Sequence, residues 1–394
     1  MKLLGKTTLA TMLASVAFGN PLFAEKPEII KMRGAIPNTM RRITADRQAT
    51  IGFLGGSITE MKGYVDFTQE ALKKRFPECK FKFVRAGLSS TCSDTGAFRV
   101  GKDILKKAPD IDLLFIEFAV NDNQDGHFAA EHSIRGIEGI VRQVKKCNPQ
   151  SEIVLLYSAN ESHLEHYHRK VTPHEIAAHE SVAEQYRLAS INFAAQVSDE
   201  IDRKKYDWEK FGGVHPAAFG CRIYATWIDR FFACAEPGKT VVTYPDVPEI
   251  DPFSYSNGRI VKSDAAKFDD LWSYSIPDWE KIPGKKRSCY TGKKILHSTA
   301  PGATLTLDFT GCAIGFLTTA GDDAGILEFS IDGAPFKTVD TYRSDYSKIL
   351  HYPYTVMLAD ELDDGKHTLT LRIAQKHNEA SCGNAIRIFG FTAN

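Results

Sequence analysis

The chain has 394 residues, 43% hydrophobic and 25% charged, a length that calls for two or three domains and a composition that excludes disorder, collagen-like repeats and coiled coil. Its 49 basic and 49 acidic side chains cancel, so there is no cationic surplus of the kind that nucleic-acid binding needs. Lys285, Lys286 and Arg287 are the nearest thing to a basic run and read as a solvated loop.

Residues 1–24 read as a secretory signal. Lys2 and Lys6 supply a positive start, Leu9 to Phe18 a short apolar stretch, and Pro21 and Ala24 a cleavage region. The expected protein is therefore secreted or periplasmic, and no later segment is apolar enough for a membrane span. Losing that leader, which carries Lys2 and Lys6 but no acid, leaves a slight acidic excess. All eight cysteines fall in the mature region, and their wide spacing, with no CxxC pair, predicts mostly free or singly paired thiols rather than a disulfide-stapled fold or a metal ribbon.

From about Gln48 to Cys234, short apolar runs alternate with longer amphipathic ones, the pattern of a doubly wound parallel sheet, and an α/β domain is expected over residues 25–236. Strands are predicted at Ala49 to Leu54, Phe81 to Ala86, Leu113 to Ala119 and Ile153 to Tyr157. Between the last two, Ile134, Ile137, Val141 and Val144 recur at spacings of three and four and predict a helix over Glu131 to Cys147.

Chemistry-bearing residues follow these strands. Ser57, in Gly55-Gly56-Ser57-Ile58-Thr59, comes directly after the first strand, at the carboxyl edge where open α/β sheets bind ligands. The string is neither GxSxG nor a phosphate-binding loop; alone it describes an ordinary Gly-Ser turn. Gly87 ends the second strand, Asn121 follows the third in Ala119-Val120-Asn121-Asp122, and His215 stands in Gly213-Val214-His215-Pro216 before a final helix. Arg85, Arg99 and Asp122 flank the same edge, where ion-pair duty is the simpler reading. His163, His166, His168, His174 and His179 form a local cluster. His174 and His179 are five residues apart, a turn of about 500° on a helix, so they do not share a face as a zincin pair would. No metal is assigned; solvated histidines or a substrate-facing lid remain the readings.

The ordered set of Ser57, Gly87, Asn121 and His215 resembles the four blocks of the SGNH (GDSL-type) hydrolase superfamily over roughly Arg33 to Phe232. The resemblance implies a three-layer α/β fold, Ser57 as nucleophile, His215 as the base that takes its proton, and an oxyanion hole made of the Ser57 and Gly87 backbone N–H groups and the Asn121 side chain. The chemistry suits those residue types: a serine hydroxyl needs a base working near neutral pH, and attack on an ester creates an oxyanion needing donors. Two departures stand out. The first block reads Gly-Gly-Ser instead of Gly-Asp-Ser, and the position three before the histidine, an aspartate in the family, is Gly212. Three arrangements would answer the second: Asp207 or Glu209 reaches back to orient His215, a backbone carbonyl does so and leaves a Ser-His dyad, or the site is degenerate.

Residues 237–300 lose helical periodicity and are rich in Pro, Gly, Asp, Ser and Tyr; they read as a linker and irregular segment. From Ala303 onward, within a domain expected over residues 301–394, the period becomes two: Leu305, Leu307 and Phe309, then Leu369, Leu371 and Ile373, alternate with polar residues, and Asp332-Gly333 marks a hairpin turn. That predicts an all-β antiparallel sandwich, resembling those attached to two-domain carbohydrate esterases. Tyr342 and Tyr346 are candidates for stacking on a sugar ring. The expected function is a serine esterase that removes an O-acyl group, foremost O-acetyl, from a carbohydrate without any cofactor. The alternatives are a catalytically disabled glycan-binding protein, an esterase of non-carbohydrate substrates, and a structural surface protein assembled through its sandwich.

Overall fold

The computed structural model describes residues 28–394, so the leader expected at residues 1–24 lies outside the described residues. The first sheet contains β1 (Ile30–Lys31), β2 (Gln48–Gly55), β3 (Lys80–Gly87), β4 (Leu113–Glu117), β5 (Glu152–Leu156) and β6 (Ala189–Ile191) in the order β1-β6-β5-β4-β2-β3. All neighbours from β2 to β6 run parallel; β1 joins β6 antiparallel. Every residue of β4 and β5 is buried, because helices cover both faces of a parallel sheet. Helices Tyr64–Arg75 and Ala218–Cys234 pack together on one side, and Ser93–Val100, Ala130–Cys147 and His174–Gln185 form a contiguous set on the other. Ile137, Ile140, Val141 and Val144 are fully buried on the inward face of helix Ala130–Cys147.

The third strand is shorter than its apolar run. β4 stops at Glu117 and the chain turns into a short helix, Ala119–Asn121. Ala119 and Val120 remain buried there, so apolarity continues where strand geometry does not.

The second domain begins earlier than periodicity suggests. Within the expected linker lie β7 (Arg259–Lys262), β8 (Lys267–Phe268), β9 (Ser273–Ser275) and β10 (Ile295–Ser298). They join β11 (Thr304–Gly311), β12 (Ile314–Ala320), β13 (Ile326–Ile331), β14 (Lys337–Asp340), β15 (Tyr352–Ala359), β16 (Gly365–Ile373) and β17 (Ile386–Ala393). One antiparallel sheet runs β15-β12-β17-β10-β9, with β7 also on β17; the other runs β14-β13-β16-β11-β8. Strands of only two to four residues offer too few positions for a period of two to register. In the core Leu305 pairs with Leu371 and Leu307 with Leu369, facing Ile314, Phe316, Ile388 and Phe391. Asp332 and Gly333 both have positive φ, 53° and 76°, as a tight turn between β13 and β14 requires.

Residues 237–258 are a packed strap rather than a free linker. The Tyr244 hydroxyl donates to Glu152 Oε1 at 2.8 Å, and fully buried Tyr255 packs on Phe98 with ring centroids 4.8 Å apart. Arg135 then spans the two domains, bonding Asp251 at 2.8 Å, Asp360 at 2.9 Å and Glu361 at 2.6 Å. None of the eight cysteines is in a disulfide.

Candidate active site

Ser57 opens the short helix Ser57–Glu60 directly after β2. Two buried groups hold that turn. Arg99, 2% exposed, donates from Nη2 to the Gly55 carbonyl at 2.9 Å, and Gly56 N–H donates to the Glu117 carbonyl at 3.3 Å. Beneath, Thr59 Oγ1 lies 2.9 Å from the Tyr64 hydroxyl and donates to Glu117 Oε2 at 3.2 Å. Glu117 is wholly buried, and that desolvation pushes its carboxyl up to about 7.

Gly87 closes β3 opposite Gly55. Its Cα approaches the turn so closely that a Cβ would sit 2.2 Å from the Glu60 nitrogen, and Ser89 N–H donates to Glu60 Oε2 at 2.7 Å. Asn121 ends the helix after β4 and presses its amide on the same turn: a Cβ on Gly56 would meet Asn121 Oδ1 at 2.1 Å. His215 comes from the loop before helix Ala218–Cys234, and its Nε2 lies 2.7 Å from Ser57 Oγ. The tertiary structure thus brings Ser57, Gly87, Asn121 and His215 to one edge of the sheet.

Neither candidate acid hydrogen-bonds to His215. Asp207 caps helix Trp208–Phe211, accepting from Lys210 N–H at 2.8 Å, and Glu209 is exposed. His215 Nδ1 has no hydrogen-bond partner among the described residues, backbone carbonyls included. Gly212 explains why no acid stands three residues earlier. Its φ is +107°, and a Cβ there would lie 2.0 Å from the Ala217 nitrogen, so this turn takes only glycine. Desolvation, the largest influence on His215, lowers its pKa; Asp125 raises it and Arg287 lowers it. The imidazole is therefore neutral near pH 7, the form that accepts a proton.

Several residues singled out in the sequence serve the scaffold. Arg85 pairs with Asp66 at 2.8 Å and Arg99 with Asp103 at 3.1 Å. Asp122 is fully buried, taking Ser93 N–H at 2.8 Å and His179 Nε2 at 2.9 Å. The histidine cluster divides: His163 and His179 are buried behind the Asn121 turn, while His168 and His174 are exposed. No group of three or more metal-ligating side chains occurs among the described residues. Arg287 corrects the solvated-loop reading, since its Nη2 donates to Ser90 Oγ at 2.6 Å. Tyr346 has one ring face stacked on Tyr352, centroids 4.1 Å apart, and its hydroxyl donates to Asp125.

No sequence motif singles out Asp125. It accepts from Asn121 Nδ2 at 2.6 Å, and the available signal was its spacing, four residues beyond Asn121 on one helical face. No helix among the described residues is long and apolar enough to cross a membrane.

Comparison with known proteins agrees with this architecture. No curated protein matches the chain. Among solved structures, a two-domain esterase (CEX) active on acetylated mannans, co-crystallised with mannopentaose, superposes with a TM-score of 0.71 at 19% identity, covering 90% of this chain and 94% of that one. A second structure of such an esterase, described without the oligosaccharide, gives 0.71 and 19%, covering 90% and 95%. At that identity the likeness speaks for the two-domain fold. Residues 53–223 match the model of the GDSL-like lipase/acylhydrolase family. The span holds Ser57, Gly87, Asn121 and His215, and this part of the chain is a GDSL-like lipase/acylhydrolase domain.

Proposed function

We propose that this protein is an exported serine esterase that removes O-acetyl groups from a glycan. The observation that carries the reading is the 2.7 Å contact between His215 Nε2 and Ser57 Oγ, within the range a general base needs. In the first half-reaction Ser57 Oγ attacks the ester carbonyl while its proton passes to His215 Nε2. The oxyanion is received by the backbone N–H groups of Ser57 and Gly87 and by the Asn121 amide. Collapse expels the sugar oxygen, which takes the proton from His215 and leaves Ser57 acetylated. Water then gives its proton to His215, attacks the acetyl-enzyme, and releases acetate as Ser57 is reprotonated.

With no acid on Nδ1, the reacting pair is a Ser-His dyad, its imidazolium favoured by the nearby Asp125 charge. The glycan assignment is supported by the two-domain likeness to an esterase active on acetylated mannans, and export by Lys2, Lys6 and the apolar stretch after them. Acetylated mannan is accordingly the first polymer to assay.

Hydrolysis of a small chromogenic acetyl ester by the wild type and by Ser57→Ala tests the reading. The expected loss in the variant is at least about 10³-fold, followed by acetate release from acetylated mannan by the wild type alone. A folded wild type inactive on every acetyl ester would instead favour the disabled, glycan-binding alternative.

A further inference from the structure

The Asn121 side chain is held from one side only. Its Nδ2 donates one hydrogen to Asp125 Oδ2 at 2.6 Å, and its Oδ1 has no partner. Asp125, 6% exposed, is in turn held by the second domain. The Tyr346 hydroxyl lies 3.0 Å from Asp125 Oδ1 and 3.1 Å from the Gln124 carbonyl, and the Arg343 guanidinium donates to the Asp125 carbonyl. Both residues sit between β14 and β15, and both are braced: Tyr346 stacks on Tyr352, and Arg343 lies 5.6, 5.5 and 5.2 Å from the ring centres of Tyr346, Tyr352 and Tyr354.

We propose that Asp125 is a positioning residue for the oxyanion hole, held in place by Tyr346 of the sandwich, so that the C-terminal domain completes the catalytic geometry of the first. This rests on the esterase reading. A primary amide has two hydrogens and two orientations about its terminal torsion. The short, charge-assisted bond to Asp125 selects the orientation with nitrogen toward the carboxylate, leaving the second N–H for the oxyanion. The flipped amide would turn a carbonyl oxygen toward developing negative charge. Preorganisation of such donors is where oxyanion stabilisation comes from. The relay thus runs Tyr346 to Asp125 to Asn121, and it crosses the domain boundary.

The test measures kcat and KM of the full chain on a small chromogenic acetyl ester for wild type, Tyr346→Phe, Asn121→Ala and the double variant. Tyr346→Phe keeps the ring and its stacking, so folding is preserved. It is expected to lower kcat about 10-fold, a fraction of the 10²- to 10³-fold loss of a whole donor, with KM within about twofold. In the Asn121→Ala background it should cost nothing further, because the group being positioned is gone. Asp125→Asn, which retains an oxygen acceptor, should recover part of the activity that Asp125→Ala loses. Wild-type kcat in Tyr346→Phe, or an equal loss in both backgrounds, would overturn the relay while leaving the esterase intact. A wild type without Ser57-dependent hydrolysis would overturn the esterase reading and the relay with it.

Discussion

The two domains bury apolar cores of similar character but differ in what else they bury. The sandwich core is aliphatic and aromatic, from Leu305 and Leu307 to Ile388 and Phe391, and its main buried cation, Arg387, is matched by a bidentate bond to Asp323 at 2.9 and 2.6 Å. The α/β domain instead places Arg99, Glu117, Asp122, His163, Glu175 and His179, each at most 2% exposed, behind the edge that carries Ser57 and Asn121. Buried ionisable groups cost several kcal/mol unless paired. That they gather where the loops after β2, β4 and β5 meet marks this edge as shaped for chemistry, while the sandwich supplies a stable platform and a few reaching side chains.

Substitutions can break or sharpen that contrast. Asn121→Ala should lower kcat by about 10² to 10³ with a modest change in thermal midpoint; an unchanged kcat would remove Asn121 from the site. Leu371→Ala, in the centre of the sandwich, should destabilise by about 2 to 5 kcal/mol, read by denaturant unfolding, with little effect on the KM of the folded fraction.

Glu117 gives a smaller, pH-dependent effect. Because its folded pKa is raised from 4.5 to about 7, the folded state binds more protons than the unfolded state between those values, so its contribution to stability falls as pH rises through that window. Glu117→Gln should therefore gain roughly 3 kcal/mol on the wild type at pH 8 and little below pH 4.5, measured as the pH dependence of unfolding.

The acid limb of kcat/KM reports His215, which must be neutral to act as base. Its lowered pKa places that limb below the ordinary histidine value of about 6.5. Asp125→Asn should move the limb further down and Arg287→Gln should move it up, since the two charges act in opposite directions. Smallest of all, Asp207→Asn and Glu209→Gln should each keep kcat within about twofold, because neither acid bonds to His215 and Asn caps a helix as well as Asp. A loss of several hundredfold in either would return that acid to the site.

Much of the fold was readable because long elements repeat their pattern. β2, β3 and helix Ala130–Cys147 lie within a residue or two of their expected limits. Short strands were not readable: β7 to β10 hide in a Pro- and Gly-rich stretch, and only pairing across the sandwich reveals them. The site divided in the same way. Ser57, Gly87, Asn121 and His215 were nameable from strand ends and block order, whereas Asp125 offers only its spacing of four from Asn121, and Tyr346 and Arg287 carry no local signal of their role.

What the sequence alone determined is the alternation of strand and helix, the later period of two, and which side chains have nucleophilic, basic or amide chemistry, since these depend on residue type and near-neighbour spacing. Only the tertiary structure decided that Gly212 must be a glycine, that His215 lacks an acid on Nδ1, and that Tyr346, 221 residues beyond Asp125, reaches it. Hydrogen bonds and close approaches between distant segments depend on distances of a few tenths of an ångström, which no local pattern encodes.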